Sequence, residues 1–173
     1  MVTADEILAD PAQRAYLLRM IGDDGLELLE KFPEGEEKSD EELAESTEIS
    51  LNTVRHTLYT LYGKRLAVYR REKNPETGWL TYLWTLKLDM VAYAIQEDME
   101  TVLEVLKLRL AYETENDFYF CPECGNRITF IDAIARDFKC IHCDREVEHF
   151  DNDLITAALE RRVTTMKRVL GVN

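Results

Sequence analysis

The sequence predicts a mainly α-helical chain with small β elements, and three observations carry that expectation. Apolar residues recur every three or four positions over long stretches, as in Val91, Ile95, Met99, Val102, Leu106 and Leu110. A short segment, "LTYLWTL" from Leu80 to Leu86, breaks that rhythm with the alternation and the aromatic residues of a strand. Four cysteines, the only ones in 173 residues, stand together as two C-x-x-C pairs, Cys121 with Cys124 and Cys140 with Cys143.

Asp10 followed by Pro11 reads as an N-cap and a proline at the first helical position, where its missing N–H costs nothing. Gly22 stands just past "AQRAYLLRMI", as the left-handed residue that stops a helix, so a first helix is expected from about Pro11 to Ile21. "LELLEKF" makes a second, ended by Pro33, and "PEGEEK" a solvated loop. Ser39 with Glu42 three residues on is a capping box and opens a third helix. After a turn at Thr47 to Ser50, "LNTVRHTLYTLYGKR" places Leu51, Val54, Leu58, Leu61 and Tyr62 at helical spacing. Two helices joined by a tight turn make a helix-turn-helix, although this turn lacks the glycine often found there.

"LAVYRRE", "KNPETG" and "WLTYLWTL" then read as a hairpin, the wing of a winged-helix domain over residues 1–88. Within it Leu80, Tyr82, Trp84 and Leu86 share one face and Trp79, Thr81, Leu83 and Thr85 the other. No glycine or proline lies between Gly78 and Pro122, so residues 89–117 are expected to hold one linking helix, about 42 Å long for roughly 28 residues. Its apolar stripe leaves two arrangements open, a strut between domains or a helix folded back on the first. Residues 151–173 form a terminal helix with the stripe Ile155, Leu159, Val163, Met166 and Leu170. Arg161, Arg162, Lys167 and Arg168 lie mostly off it, where bases suit a helix C-terminus. The stripe is expected to pack within the chain, with docking on a partner as the alternative.

The cysteine segment, residues 118–150, has the chemistry of a metal site. A tetrahedral zinc with Zn–S bonds of about 2.3 Å needs sulfurs about 3.8 Å apart, which a C-x-x-C turn supplies from one compact piece of backbone. Gly125 after the first pair takes positive φ easily, and Asp144 holds the equivalent place after the second. The fifteen-residue insert and the strand-like flanks "FYF", "RITF" and "EVEHF" suit a zinc ribbon. Cys121, Cys124, Cys140 and Cys143 are therefore the expected ligands of one structural Zn(2+), with no position left open for catalysis. Iron in a rubredoxin-like site would use the same ligands. His142, His149 and His56 read as surface histidines. No nucleotide-binding, metalloprotease or serine-hydrolase motif occurs, and no catalytic residue is expected.

The net charge of -13 is unevenly spread. Residues 1–50 carry fifteen acids against four bases, whereas residues 51–88 carry seven bases against two acids. An acidic body with one basic island argues against a free-standing duplex binder, whose affinity comes mostly from phosphate neutralisation. No apolar run of about 18 residues and no basic leader with an apolar core appear, so no membrane partner and a reducing, cytoplasmic location are expected.

The order of acidic N-terminal helices, helix-turn-helix, the wing strand "GWLTYLWTL", long helix and "CPECG…CIHC" resembles the archaeal transcription factor E family, counterpart of the alpha subunit of eukaryotic general transcription factor IIE. Asp144 departs from its more typical glycine. The resemblance implies a non-enzymatic initiation factor that binds RNA polymerase at its clamp and stalk and promotes or stabilises opening of promoter DNA near the melted region. The TATA-binding protein or a second subunit are further implied partners. The basic and aromatic wing residues Arg70, Arg71, Lys73 and Trp79 become the candidate contacts to nucleic acid or polymerase, while Tyr82 and Trp84 read as core. The alternative is an autonomous regulator that reads duplex DNA through Asn52, Arg55, His56 and Tyr59, its ribbon a sensor or dimerisation module; a redox protein with iron in the ribbon is a third reading.

Overall fold

A computed structural model describes residues 3–33, 35–73 and 78–172. The chain divides into two compact units, residues 1–97 and 98–173. As the sequence predicts, it is mainly helical, with two small antiparallel sheets.

The first unit opens with α1 (Ala4–Ala9), a helix the sequence reading missed although Thr3 and Glu6 form a capping box. In α2 (Pro11–Lys31), Asp10 accepts from the backbone N–H groups of Ala12 and Gln13 at 2.8 and 2.9 Å. The two helices expected on either side of Gly22 are both there: Gly22 has φ 71° and ψ -176° and kinks the run where a helix was expected to stop. A two-residue strand, β1 (Lys38–Ser39), leads into α3 (Asp40–Thr47), capped reciprocally by Ser39 and Glu42. The turn to α4 (Leu51–Gly63) manages without glycine because Glu48 takes the left-handed conformation at φ 62°. Buried Thr47 steadies it, its Oγ1 donating to the Leu43 carbonyl at 2.7 Å.

Strands β2 (Ala67–Lys73) and β3 (Leu80–Leu86) form the wing, and β1 completes the sheet in the order β1-β3-β2. Part of the expected loop between them, residues 74–77, lies outside the described residues. Leu17, Leu29, Leu43, Val54, Leu58, Leu61 and Trp84 fill the core, with Val91 and Ala94 from the first turn of α5 (Val91–Glu115). Leu88–Met90 form a single 3-10 turn before α5, so the regular helix begins two residues after the expected start.

On α5 the stripe departs from expectation at one place, where Leu103 is buried and Val102 is about half exposed. Both lie at helical spacing from Met99, three or four residues on, and spacing alone does not choose between them. In the second unit, β4 (Phe118–Phe120) is the central strand between β5 (Arg127–Thr129) and β6 (Glu148–Phe150). One short helix, α6 (Phe130–Ile134), follows β5, and α7 (Asp153–Leu170) ends the chain. Val163 is buried on α7 and Ile155, Leu159, Met166 and Leu170 are partly covered, so the predicted stripe is its protected face. Asn152, its N-cap, donates to the Glu113 carbonyl of α5 at 2.8 Å.

Candidate metal centre and nucleic-acid interface

The ribbon's two C-x-x-C turns are built alike. The Gly125 N–H donates to the Cys121 carbonyl at 2.8 Å, and the Asp144 N–H to the Cys140 carbonyl at 3.0 Å. Closing each turn requires positive φ, which Gly125 adopts at 71° and Asp144 at 55°. Aspartate therefore does the work of glycine in the second turn, at the modest steric cost an Asx residue bears.

These turns bring Cys121, Cys124, Cys140 and Cys143 together with every ligand atom within 4.8 Å of the others. Sγ separations are 3.4 Å for Cys121 to Cys143 and for Cys124 to Cys140, and 3.8 Å for Cys143 to Cys124. Such spacings fit the edges of a tetrahedron around a thiolate-bound metal, about 3.8 Å. The backbone N–H of His142, 3.4 Å from Cys140 Sγ, leads in holding that thiol down at about 6. Cys143, despite the backbone N–H of Arg145, is pushed up to about 12 by Cys121, by burial and by Cys140. Four thiolates share so small a volume only around a compensating cation, and the four cysteines lie close enough to hold a metal ion. Neither expected surface histidine joins them: His142 offers its backbone, and the His149 ring packs edge-on against Tyr119 at 5.6 Å.

The wing residues do not form one group. Pairing of Tyr69 with Trp84, Arg71 with Tyr82 and Lys73 with Leu80 puts Arg71 and Lys73 on one face of the hairpin. Arg70, one residue off, belongs to the opposite face, where its guanidinium meets Glu37 at 2.6 Å and Glu72 at 3.5 Å. Trp79 is 78% exposed, as a contact residue requires, and Trp84 is 1% exposed and belongs to the core. Tyr82 is only half-buried.

Sequence reasoning missed what covers that face. Tyr62, expected in the buried stripe of α4, is 46% exposed and Tyr59 51%, because Val54, Thr57, Leu58 and Leu61 already fill the narrow core-facing side. Their rings continue onto the wing: Tyr62 lies 5.1 Å from Tyr69, and Tyr69 5.1 Å from Tyr82. Arg71 sits over Tyr69 and Tyr82, 5.9 and 5.6 Å from their centroids. The available signal was Tyr59 and Tyr62 at i, i+3 and Tyr69 at the same strand parity as Arg71.

Of the duplex-reading residues, Arg55 on α4 is occupied. Its Nε donates to Asp40 and its Nη2 to Glu41 at 2.8 Å, both in the first turn of α3.

One chain thus carries a winged helix and a small unit whose four cysteines lie close enough to hold a metal ion. A family model described as "TFIIE alpha subunit" matches residues 14–115. The chain is 56% identical over 171 residues to the Transcription factor E of Methanospirillum hungatei, covering 99% of each, and 54% identical to that of Methanoregula boonei, again with 99% of each covered. The Transcription factor E of Methanothrix thermoacetophila is 42% identical, with 93% of this chain and 96% of that one covered. The chain belongs to the TFIIE alpha family, among the archaeal members named Transcription factor E, and is a transcription initiation factor. No helix among the described residues is long and apolar enough to cross a membrane.

Proposed function

We propose that this chain acts on RNA polymerase, at its clamp and stalk, to promote or stabilise the opening of promoter DNA, without catalysis of its own, and that its ribbon holds one structural zinc. The observation that carries the reading is the pairing of Arg55 with Asp40 and Glu41. A helix-turn-helix that reads duplex DNA turns its recognition-helix cations toward bases and phosphates. Here the cation is matched by two carboxylates, in a molecule of net charge -13 whose N-terminal fifty residues hold fifteen acids. Unaided duplex binding is opposed on that face, and a factor delivered to DNA by another protein needs none. The TATA-binding protein or a second subunit would dock elsewhere on the same assembly.

The zinc reading rests on the sulfur geometry and on the small ribbon core, Cys121, Ala133, Cys140 and Val147 with Tyr119, Ile128 and Phe138 packed against them. Metal binding in such a unit supplies folding free energy that its apolar area does not. Gel shifts of promoter duplex test the function, run with the chain alone, with RNA polymerase alone, and with both. The expected result is a shift strengthened only in the presence of polymerase; tight sequence-specific binding by the chain alone supports the autonomous regulator instead.

A further inference from the structure

We propose that the outward faces of α5 and α7 in the second unit are a self-association surface, which joins two copies of this chain by laying α5 of each on α7 of the other. The inference is independent of the reading at melted promoter DNA.

Each helix has an apolar face that the chain buries and a second one that it leaves in solvent. On α5, Leu103 is buried, whereas Val105, Leu108 and Tyr112 are exposed, Leu108 at 72%. These three follow at spacings of three and four residues and stand about 140 to 200° round the helix from Leu103, so they form one stripe on its far side. On α7, Val163 is buried and Leu154 is 87% exposed. Leu154, Arg161 and Arg168 stand about 140 to 180° round from Val163. A shallow groove of about 340 Å³ runs along the same helix, lined by Leu154, Ile155, Ala158, Leu159 and Arg162. Asn152 bonds the start of α7 to Glu113 near the end of α5, and both helices belong to the second unit from residue 98 on.

Charge selects the occupant. Residues 98–115 of α5 hold five acids against two bases, and α7 holds four bases against two acids. Glu104 and Glu115 border the α5 stripe and Arg161, Arg162 and Arg168 the α7 face, all of them exposed. No carboxylate among the described residues pairs with these three arginines, although Lys107, Arg109 and Arg127 of the same unit are all paired. An acidic apolar stripe and a basic apolar groove are thus carried by one unit, each on the side of its helix away from the buried face. A two-fold axis satisfies both at once, the isologous arrangement of most dimers. A single foreign helix would match one sign of charge and be repelled by the other.

Sedimentation velocity of the full zinc-loaded chain at low salt, from about 1 to 300 µM, tests the proposal over the range of a weak dimer. The expected result is a species of twice the 20.2 kDa chain mass that grows with concentration. E104K/E115K and R161E/R168E, each alone, should raise the dimer Kd by about tenfold or more, because like charges then face each other. Mixing the two variants should restore the dimer, since a basic α5 then meets an acidic α7 and an acidic α5 a basic α7. The chain carrying all four reversals should dimerise as the parent does, for the same reason. A parent that stays monomeric throughout the range would overturn the proposal whatever the variants do to folding. So would charge variants that dimerise like the parent, or a mixture and a fourfold variant that both stay monomeric. A monomeric parent whose E104K/E115K variant no longer binds RNA polymerase would make the face a docking surface for polymerase and equally overturn it.

Discussion

The carboxylate of Glu113, fully buried at the end of α5, is met by the guanidinium of Arg127 on β5. Arg109 reaches the other oxygen at 2.6 Å, Asn152 donates to the same carboxylate at 2.9 Å, and the Arg127 guanidinium lies over the Phe118 ring at 3.6 Å. One side chain thus joins the end of α5, the central sheet of the ribbon and the start of α7. Glu113→Gln leaves two arginines without their partner, and calorimetry should record a loss of about 3 kcal/mol in the second unit, the low end for breaking a buried pair because Arg109 keeps solvent contact. Unchanged stability would mean that apolar packing alone holds α5 to the ribbon.

The same carboxylate sets a pH dependence. Burial disfavours its charge, but hydrogen bonds from Arg127 and Asn152 and the charges of Arg127 and Arg109 outweigh that and hold it below the usual 4.5. A depressed folded value means the stabilisation is complete above the unfolded value and is lost as pH falls through the folded one. Thermal unfolding of parent and Glu113→Gln between pH 6 and 3 should therefore converge at the acid end. Metal release in acid affects both proteins alike, so a constant difference across the range contradicts the prediction.

The ribbon should depend on its metal and the first unit should not. Chelation, or Cys121→Ser, is expected to expose residues 118–150 to protease while the core around Trp84 stays protected, since the ribbon core includes two of the ligands themselves. Elemental analysis should find one zinc per chain, and none after substitution. Full metal retention by Cys121→Ser would remove that residue from the ligand set.

Two tryptophans five residues apart should behave oppositely. Trp84→Ala empties the centre of the first core and should cost about 3 to 5 kcal/mol. Trp79→Ala, at 78% exposure, should change stability by less than about 0.5 kcal/mol. Combined with Arg71→Ala it should still reduce open-complex formation; equal destabilisation by the two single variants would place Trp79 in the core.

Neutralising the partners of Arg55 should release it. D40N/E41Q is expected to strengthen nonspecific duplex binding and to steepen the fall of log K with log salt by about one unit, as for one additional phosphate contact. An unchanged slope would show that the ion pairs do not govern access to DNA.

The parts of this molecule written in short-range chemistry were legible from sequence. Asp10-Pro11, the Ser39 and Glu42 box and the two C-x-x-C turns each specify geometry within a few residues, and each formed as expected. Alternation in "LTYLWTL" correctly put Trp84 and Tyr82 on one face. What it did not carry was how far the core reaches along that face: Trp84, 1% exposed, packs against Tyr59 and Tyr62 of α4, whereas Tyr82 is half-buried. Arg70 and Arg71 look equivalent as neighbours in sequence, yet strand parity separates them and Glu37, thirty-three residues away, claims one. Glu113 was invisible for the same reason: its three partners come from positions 109, 127 and 152, and only the fold assembles them.

The account stands or falls on promoter melting. Permanganate reactivity of thymines in promoter DNA, measured with RNA polymerase and its other initiation factors in the presence and absence of this chain, reads the open state directly. Stronger reactivity across the melted region when the chain is added, with none when the chain acts without polymerase, is the predicted result. Identical reactivity with and without the chain, at concentrations where it binds polymerase, would contradict it.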